Sequence, residues 1–191
     1  MSPLPSDDRC ALLKLARQAI TSAVTLQPMP AIPTLLDTRI GSGAFVTLHQ
    51  QGRLRGCIGL LESPANLAET VARCAALAAK EDPRFNPVTA SEIADLEIEI
   101  SVLSPLRAAK PEEVEPGTHG LRVRRGACSG VLLPQVASRY QWSRERFLEE
   151  TCHKAGLAAD AWRDPETLIE VFTAEILSET DLPAENRMPA S

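Results

Sequence analysis

The chain has 191 residues, and its 25 acidic and 20 basic residues leave a net charge of −5 at neutral pH. At this length roughly 70% of the unfolded surface can be buried, which is enough for one domain or two small lobes. The acidic balance argues against a general binder of nucleic-acid backbones, which needs a basic surplus. The sequence has neither the long apolar run of a membrane helix nor a signal peptide, so we expect a cytoplasmic protein without a membrane partner.

The cysteines and the known short motifs give no sign of a bound group. No Cys-x-x-Cys pair is present, and the phosphate-binding, dinucleotide, zinc-protease and serine-hydrolase motifs are missing from the sequence. We therefore predict no metal and no cofactor. Free thiols are expected, mostly as small buried side chains. The five cysteines are Cys10, Cys57, Cys74, Cys128 and Cys152.

Two helices and a connecting segment are predicted in the first half of the chain. Apolar residues recur every three or four positions over residues 6–24, with Ser6 as the N-cap. Three prolines within residues 28–33 predict an extended connection. Ser63, followed by a proline, predicts the start of a second helix that ends before Asp82.

Strand patterns occur in five places. Residues 44–49 and 53–59 flank a glycine turn and predict a hairpin. Residues 96–103 alternate apolar and polar side chains, which is typical of a strand with one wet face. A second hairpin is predicted over 121–133, with Cys128 in its turn, and a last strand over 167–177.

The last helix begins at Ser143 as its N-cap and stops at Gly156. We expect residues 179–191 to form a mobile tail. Hairpins and helices without a regular strand–helix alternation predict an α+β fold with antiparallel sheets.

Cys57 lies between two glycines in the segment from Arg53 to Gly59. Glycine inside a strand destabilises it, and normally marks a bulge or a close approach by a ligand or another segment. If Arg53 or Arg55 lies near the sulfur, the thiolate is favoured and Cys57 becomes a nucleophile. The alternative is a tight strand crossing around a buried, inert thiol.

Two histidines and one further arginine are candidates for the same site. His119 stands between glycines ahead of the second hairpin, where it either carries protons at a cleft edge or is an ordinary surface residue. His49 is the competing base, because it lies across the predicted hairpin from Cys57. Arg84 either orients an anionic group of a substrate or pairs with Asp82.

The segment Leu54-Arg55-Gly56-Cys57-Ile58-Gly59 resembles the signature of the AMMECR domain family, whose bacterial members are called AmmeMemoRadiSam system protein A. The resemblance covers about residues 8–178. Further segments that resemble the family pattern, in the same order, are 45–48, 82–85, 98–104, 119–121, 132–137 and 154–157. The resemblance implies one two-lobed α+β domain, with a larger lobe from both chain ends, a smaller lobe from a middle section, and the signature cysteine facing the cleft between them.

The resemblance also implies partners, because the family shares operons with a Memo-type protein and a radical SAM protein. The activity of the family is unsettled, so two hypotheses stand. In the first, Cys57 is a cleft thiolate that modifies a small-molecule or peptide substrate; in the second, the cleft binds those partners without catalysis. The candidate catalytic residues are Cys57 and His119, and the candidate substrate-binding residues are Arg55, Gly56, Gly59, Arg84 and His49.

Overall fold

The computed structural model describes residues 3–32 and 43–181. Of the predicted tail over 179–191, the structure describes only Glu179–Asp181, which form a short 3-10 helix. Residues 182–191 and the last proline of the 28–33 segment lie outside the described residues. In chain order the elements are α1 (Ser6–Thr25), β1 (Ala44–Gln50), β2 (Arg53–Leu60), α2 (Leu67–Lys80), β3 (Leu96–Leu103), β4 (Arg107–Ala108), β5 (Gly120–Arg125), β6 (Cys128–Leu132), α3 (Pro134–Tyr140), α4 (Arg144–Lys154), β7 (Leu168–Phe172) and β8 (Ala174–Ser178).

The chain divides into two compact units. Among the described residues, we call 3–32, 43–103 and 175–181 the terminal unit, and Ser104–Ala174 the middle unit. Each has one four-stranded sheet, with strand orders β2-β1-β3-β8 and β4-β7-β5-β6, and helices beside it. The predicted α+β class with antiparallel sheets is confirmed. Among the described residues, no helix has both the length and the apolar character needed to cross a membrane.

In the terminal unit, helices α1 and α2 share one buried apolar cluster with the sheet. Successive side chains of a strand point to opposite faces of the sheet. The cluster therefore contains alternate residues of β1 and β3. Val46 and Ile98 are buried against the helices, while Thr47 and Glu99 stand on the other face. The first hairpin and the 96–103 strand are therefore confirmed, and they leave one face of the sheet with polar side chains.

Two helix starts differ from the prediction. The N-cap of α1 is Pro5, with no side-chain cap, and Ser6 is already the first helical residue. Helix α2 begins at Leu67, one turn later than predicted, because Asn66 accepts the backbone N–H of the third helical residue at 2.8 Å. Asparagine is as good an N-cap as serine, so Ser63 alone did not define the start.

In the middle unit, α4 begins and ends as the sequence predicts. The Ser143 hydroxyl accepts the backbone N–H of Arg146 at 3.2 Å. At the other end Gly156 has a φ of +73°, and the backbone N–H of Leu157 donates to the Cys152 carbonyl at 2.9 Å. These are the contacts of a Schellman stop. The helix contributes Phe147, Leu148 and Cys152 to the core of the unit.

The predicted strand over 167–177 is wrong as a single element. It consists of β7 and β8, which belong to different sheets and are separated by Thr173. The backbone N–H of Thr173 donates to the Ser104 hydroxyl at 2.9 Å, and the N–H of Ser104 donates to the Thr173 carbonyl at 2.9 Å. Cys128, which we expected in a turn, is the first residue of β6.

Candidate functional site

Cys57 lies on β2, the edge strand of the terminal sheet. Its backbone N–H donates to Asp82 Oδ2 at 2.8 Å, and its carbonyl accepts from Arg84 Nη2 at 3.2 Å. Both backbone groups therefore point off the sheet edge, and Cys57 forms a non-hydrogen-bonded pair with Thr47, its partner on β1. Side chains of such pairs are close. The Thr47 hydroxyl donates to Cys57 Sγ at 3.3 Å.

Asp82 holds Arg84 beside Cys57. Its carboxylate accepts from Arg84 Nε at 2.9 Å and from Nη2 at 2.7 Å, so the pair is bidentate. The Arg84 side-chain hydrogen bond is the main reason why the pKa of Asp82 falls from 3.8 to about 2. The same contact with Asp82 is the main reason why the pKa of Arg84 is raised, and the neighbouring Cys57 side chain adds to this rise.

The arrangement suits chemistry at sulfur. Cys57 is half-buried, unlike Cys74 and Cys152, which are fully buried. The Thr47 hydroxyl donates to the sulfur, and the Arg84 guanidinium donates to the carbonyl of the same residue; groups of these two kinds can stabilise a thiolate. Glu99 on β3 is the register partner of Thr47. A carboxylate therefore lies on the same face of the sheet as Thr47 and Cys57, two strands away from Cys57.

Arg55, the other predicted arginine, has a different set of partners. The β1–β2 register shifts between Leu48 and His49, which leaves Arg55 as the extra residue of a bulge. Its Nε donates to Glu92 Oε1 at 2.8 Å, Nη1 donates to the Asn86 carbonyl at 2.9 Å, and Nη2 donates to Glu92 Oε2 at 3.2 Å. Its side chain is only 15% exposed. Arg55 therefore fastens the segment after α2 to the sheet edge.

Gly56 and Gly59 are explained by packing inside the terminal unit. A Cβ on Gly56 would lie 2.3 Å from the Ala78 carbonyl oxygen, and a Cβ on Gly59 would lie 2.2 Å from the Phe45 ring. Close approach of another segment, one of the two expected reasons, thus accounts for both glycines. Their role in binding a substrate stays a prediction.

The two histidines lie in different units. His49 is on β1, two residues from Thr47 and on the same face, and its partner on β3 is Glu97. His119 belongs to the middle unit, where its Nδ1 accepts the backbone N–H of Glu115 at 3.1 Å. The proton of a neutral His119 is then on Nε2, which can serve as a donor. Pairing of either histidine with Cys57 stays a prediction.

The sequence reasoning missed Thr47 and Glu99 and treated Asp82 only as a partner of Arg84. Alternation over 44–49 and 96–103 was the available signal, because it places Thr47 and Glu99 on the face away from the helices. Within residues 3–32 and 43–181, no group of three or more His, Cys, Asp or Glu side chains is arranged to hold a metal ion.

Comparison with known proteins identifies the family. The AMMECR1 family model matches residues 13–177. A protein of Methanothermobacter thermautotrophicus is 41% identical over 187 residues, 93% of this chain and 97% of its own, and a protein of Thermococcus kodakarensis is 40% identical over 88% of each chain. The crystal structure of an uncharacterised protein of Pyrococcus horikoshii matches with a TM-score of 0.83 and 38% identity, covering 91% of this chain and 92% of that one. The chain belongs to the AMMECR1 family.

Proposed function

We propose that this protein is a cysteine-dependent enzyme in which the Cys57 thiolate modifies a small-molecule or peptide substrate. The observation that carries the proposal is the hydrogen bond from Thr47 to the Cys57 sulfur, on a residue whose carbonyl is held by Arg84. The buried cysteines offer no comparable site. Burial raises the pKa of Cys74 to about 11 and also raises the pKa of Cys152.

The proposed first step is nucleophilic substitution. The Cys57 sulfur attacks an electrophilic carbon of the substrate, and a sulfur–carbon bond forms as the bond to the leaving group breaks. The leaving group departs with the bonding electron pair, and an acceptor later takes the carbon group from sulfur. Thr47 and Arg84 stabilise the charge on sulfur before the attack. We assign proton transfer to His119 or His49, as predicted from the sequence.

Iodoacetamide alkylation tests the nucleophile. At neutral pH we expect Cys57 to react at least about ten-fold faster than Cys128, although Cys128 is the more exposed of the two. Only the thiolate reacts, so groups that stabilise it raise the rate. The rates are measured by mass spectrometry on the peptides of one sample, which makes Cys128 an internal reference. Equal rates at the two cysteines would overturn the proposal.

One variant and one control test the contribution of the Thr47 hydroxyl to the reactivity of Cys57. Thr47→Val removes the hydroxyl and is expected to slow Cys57 about three-fold or more, with no change at Cys128. A control for side chains outside the terminal unit is Arg107→Gln, which removes an arginine as exposed as Arg84 from its pair with Glu113 in the middle unit. This control is expected to leave the Cys57 rate unchanged.

A non-catalytic interaction module is the second candidate. Leu54 and Leu60 are exposed on edge strand β2, and an edge with apolar side chains is a common contact surface. In this proposal the protein acts in the cytoplasm as a member of the AmmeMemoRadiSam type and binds the Memo-type and radical SAM proteins. A Cys57→Ser variant that still co-purifies with both partners and retains full function in cells would favour it over catalysis.

A further inference from the structure

We infer that the substrate of Cys57 is an anion, which Arg84 binds through a carboxylate or phosphate group next to the electrophilic carbon. The inference rests on the proposed function and adds the substrate class. It is carried by the way in which Arg84 is held, by the hydrogen bonds that the Cys57 backbone already makes, and by the contrast between Arg84 and Arg55.

Arg84 is fixed in place and still open to solvent. Its side chain is 54% exposed, whereas the side chain of its partner Asp82 is only 2% exposed. Nε and Nη2 are engaged by Asp82 and by the Cys57 carbonyl, but Nη1 donates to no group among the residues that the structure describes. The two N–H bonds of Nη1 are therefore available to a ligand. Because the guanidinium is already ordered, binding an anion loses little side-chain entropy.

Arg55 cannot play this part in the same way. All three of its guanidinium nitrogens donate to protein acceptors, namely the Glu92 carboxylate and two backbone carbonyls. A substrate anion would have to displace Glu92, whose pKa is lowered to about 2 chiefly by its hydrogen bond with Arg55. The sequence left Arg55 and Arg84 as equal candidates, and the contacts favour Arg84.

The backbone at Cys57 also favours a charged substrate. Acyl transfer normally relies on backbone N–H groups at the nucleophile, which stabilise the oxyanion of the intermediate. Here the Cys57 N–H donates to Asp82, and Ile58 is paired with Val46 within the sheet. The Thr47 hydroxyl already donates to the sulfur, which leaves the Nη1 group of Arg84 as a donor beside Cys57. A cation binds an anionic group through charge-assisted hydrogen bonds better than it binds a neutral carbonyl.

Glu99 favours a position for the anion on the side of Cys57 that faces away from β1, at the edge of the sheet. Glu99 shares a strand row with Thr47 and Cys57 on β3, about 10 Å from β2 at ordinary strand spacing. Its carboxylate repels an anion that lies over the sheet. Arg84 approaches from the opposite direction, at the free edge of β2. The edge therefore offers the remaining N–H donors of Arg84, whose charge is balanced by Asp82, whereas a carboxylate lies towards the sheet centre.

Two alkylating reagents of different charge test the inference. Iodoacetate and iodoacetamide share the reacting carbon and the iodide leaving group, but only iodoacetate carries a carboxylate. For each cysteine the iodoacetate rate is divided by the iodoacetamide rate. We expect this ratio to be at least about five-fold higher at Cys57 than at Cys128 in the unmodified protein. Added salt is expected to reduce the difference, because it screens the attraction.

Variants with and without a positive charge at position 84 test whether Arg84 causes the preference for iodoacetate. Arg84→Gln is expected to bring the ratio at Cys57 down to that at Cys128, Arg84→Lys to keep most of the preference, and Arg107→Gln to change nothing. Inorganic phosphate and acetate at equal ionic strength are the competing ligands. Stronger protection of Cys57 by phosphate indicates a phosphate group in the substrate, and stronger protection by acetate indicates a carboxylate.

The results separate this inference from the proposed function. A Cys57 that is fast with iodoacetamide but shows the same ratio as Cys128 would overturn the anion inference and leave the nucleophile in place. A Cys57 that is slow with iodoacetamide would remove the proposed function. The ratio in the unmodified protein decides the first point even if an Arg84 variant does not fold.

Discussion

Gly56→Ala is expected to lower the free energy of unfolding by about 3 kcal/mol or more, or to prevent the terminal unit from folding. The new Cβ would lie 2.3 Å from the Ala78 carbonyl oxygen. That oxygen is a backbone atom of α2, so it cannot rotate away as a side chain can. The helix would have to move off the sheet, and the apolar cluster between them would be disturbed. Urea unfolding followed by circular dichroism measures the loss.

Gly52→Ala is the matched control. Gly52 lies in the turn of the same hairpin, has a φ of +73°, and a Cβ there would meet no atom within 4 Å. Only the backbone conformation penalises alanine, which amounts to about 1 kcal/mol. If Gly56→Ala cost no more than Gly52→Ala, the close approach of α2 would not be the reason for glycine at position 56.

This comparison decides how a Gly56 variant is interpreted. Because α2 occupies the space beside Gly56, loss of activity in such a variant is explained first by a disturbed fold, and is not evidence for a lost ligand contact. The chemistry of the signature segment is better probed at Cys57, Thr47 and Arg84. Thr47 contacts the Cys57 sulfur, Arg84 contacts the Cys57 carbonyl, and none of the three belongs to the apolar cluster under the helices.

Much of the fold was predictable because its signals are local. The alternation of 96–103, the two hairpins and the Ser143 cap each depend on residues within one turn or one strand, and each is confirmed. The single strand predicted over 167–177 failed for the opposite reason. An apolar run has the same periodicity whether it stays in one sheet or passes from one sheet to another at Thr173.

The contact between Thr47 and Cys57 could not be predicted from hairpin register. Gln50 pairs with Arg53 across the turn, and counting back from there places Thr47 opposite Gly56. The bulge at Arg55 shifts the register by one residue and brings Cys57 opposite Thr47 instead. The glycines suggested a bulge, but not its position. The bond from Cys57 to Asp82 joins residues 25 apart and has no sequence signal.

Asp82→Asn is expected to lower the free energy of unfolding by about 2 kcal/mol at neutral pH. The substitution keeps the shape of the side chain but removes its charge, so the bidentate pair with Arg84 is lost. Breaking a fully buried ion pair costs more, but here the Arg84 side chain is half-exposed and can be hydrated. The variant is also expected to slow Cys57 alkylation, because Arg84 is no longer held at the Cys57 carbonyl.

The same variant is expected to change how stability depends on pH. The pKa of Asp82 is about 2 in the folded protein against an ordinary value of 3.8, and that of Glu92 is about 2 against 4.5. A group whose pKa is lower in the folded state binds protons more readily when unfolded, so acid favours unfolding. The stabilisation is complete above about pH 5 and is lost as the pH falls towards about 2.

Urea unfolding between neutral pH and about pH 2 measures this loss. The unmodified protein should lose stability across the window, Asp82→Asn should lose about 2 kcal/mol less, and the two curves should meet near the acid end. Asp164→Asn removes a half-exposed carboxylate that pairs with Arg125, and the stability curve of this variant should run parallel to that of the unmodified protein. Parallel curves for Asp82→Asn as well would mean that Asp82 is not held as a carboxylate by Arg84. Arg84 would then lack the anchor that keeps its guanidinium at Cys57, and the anion site would lose its physical basis.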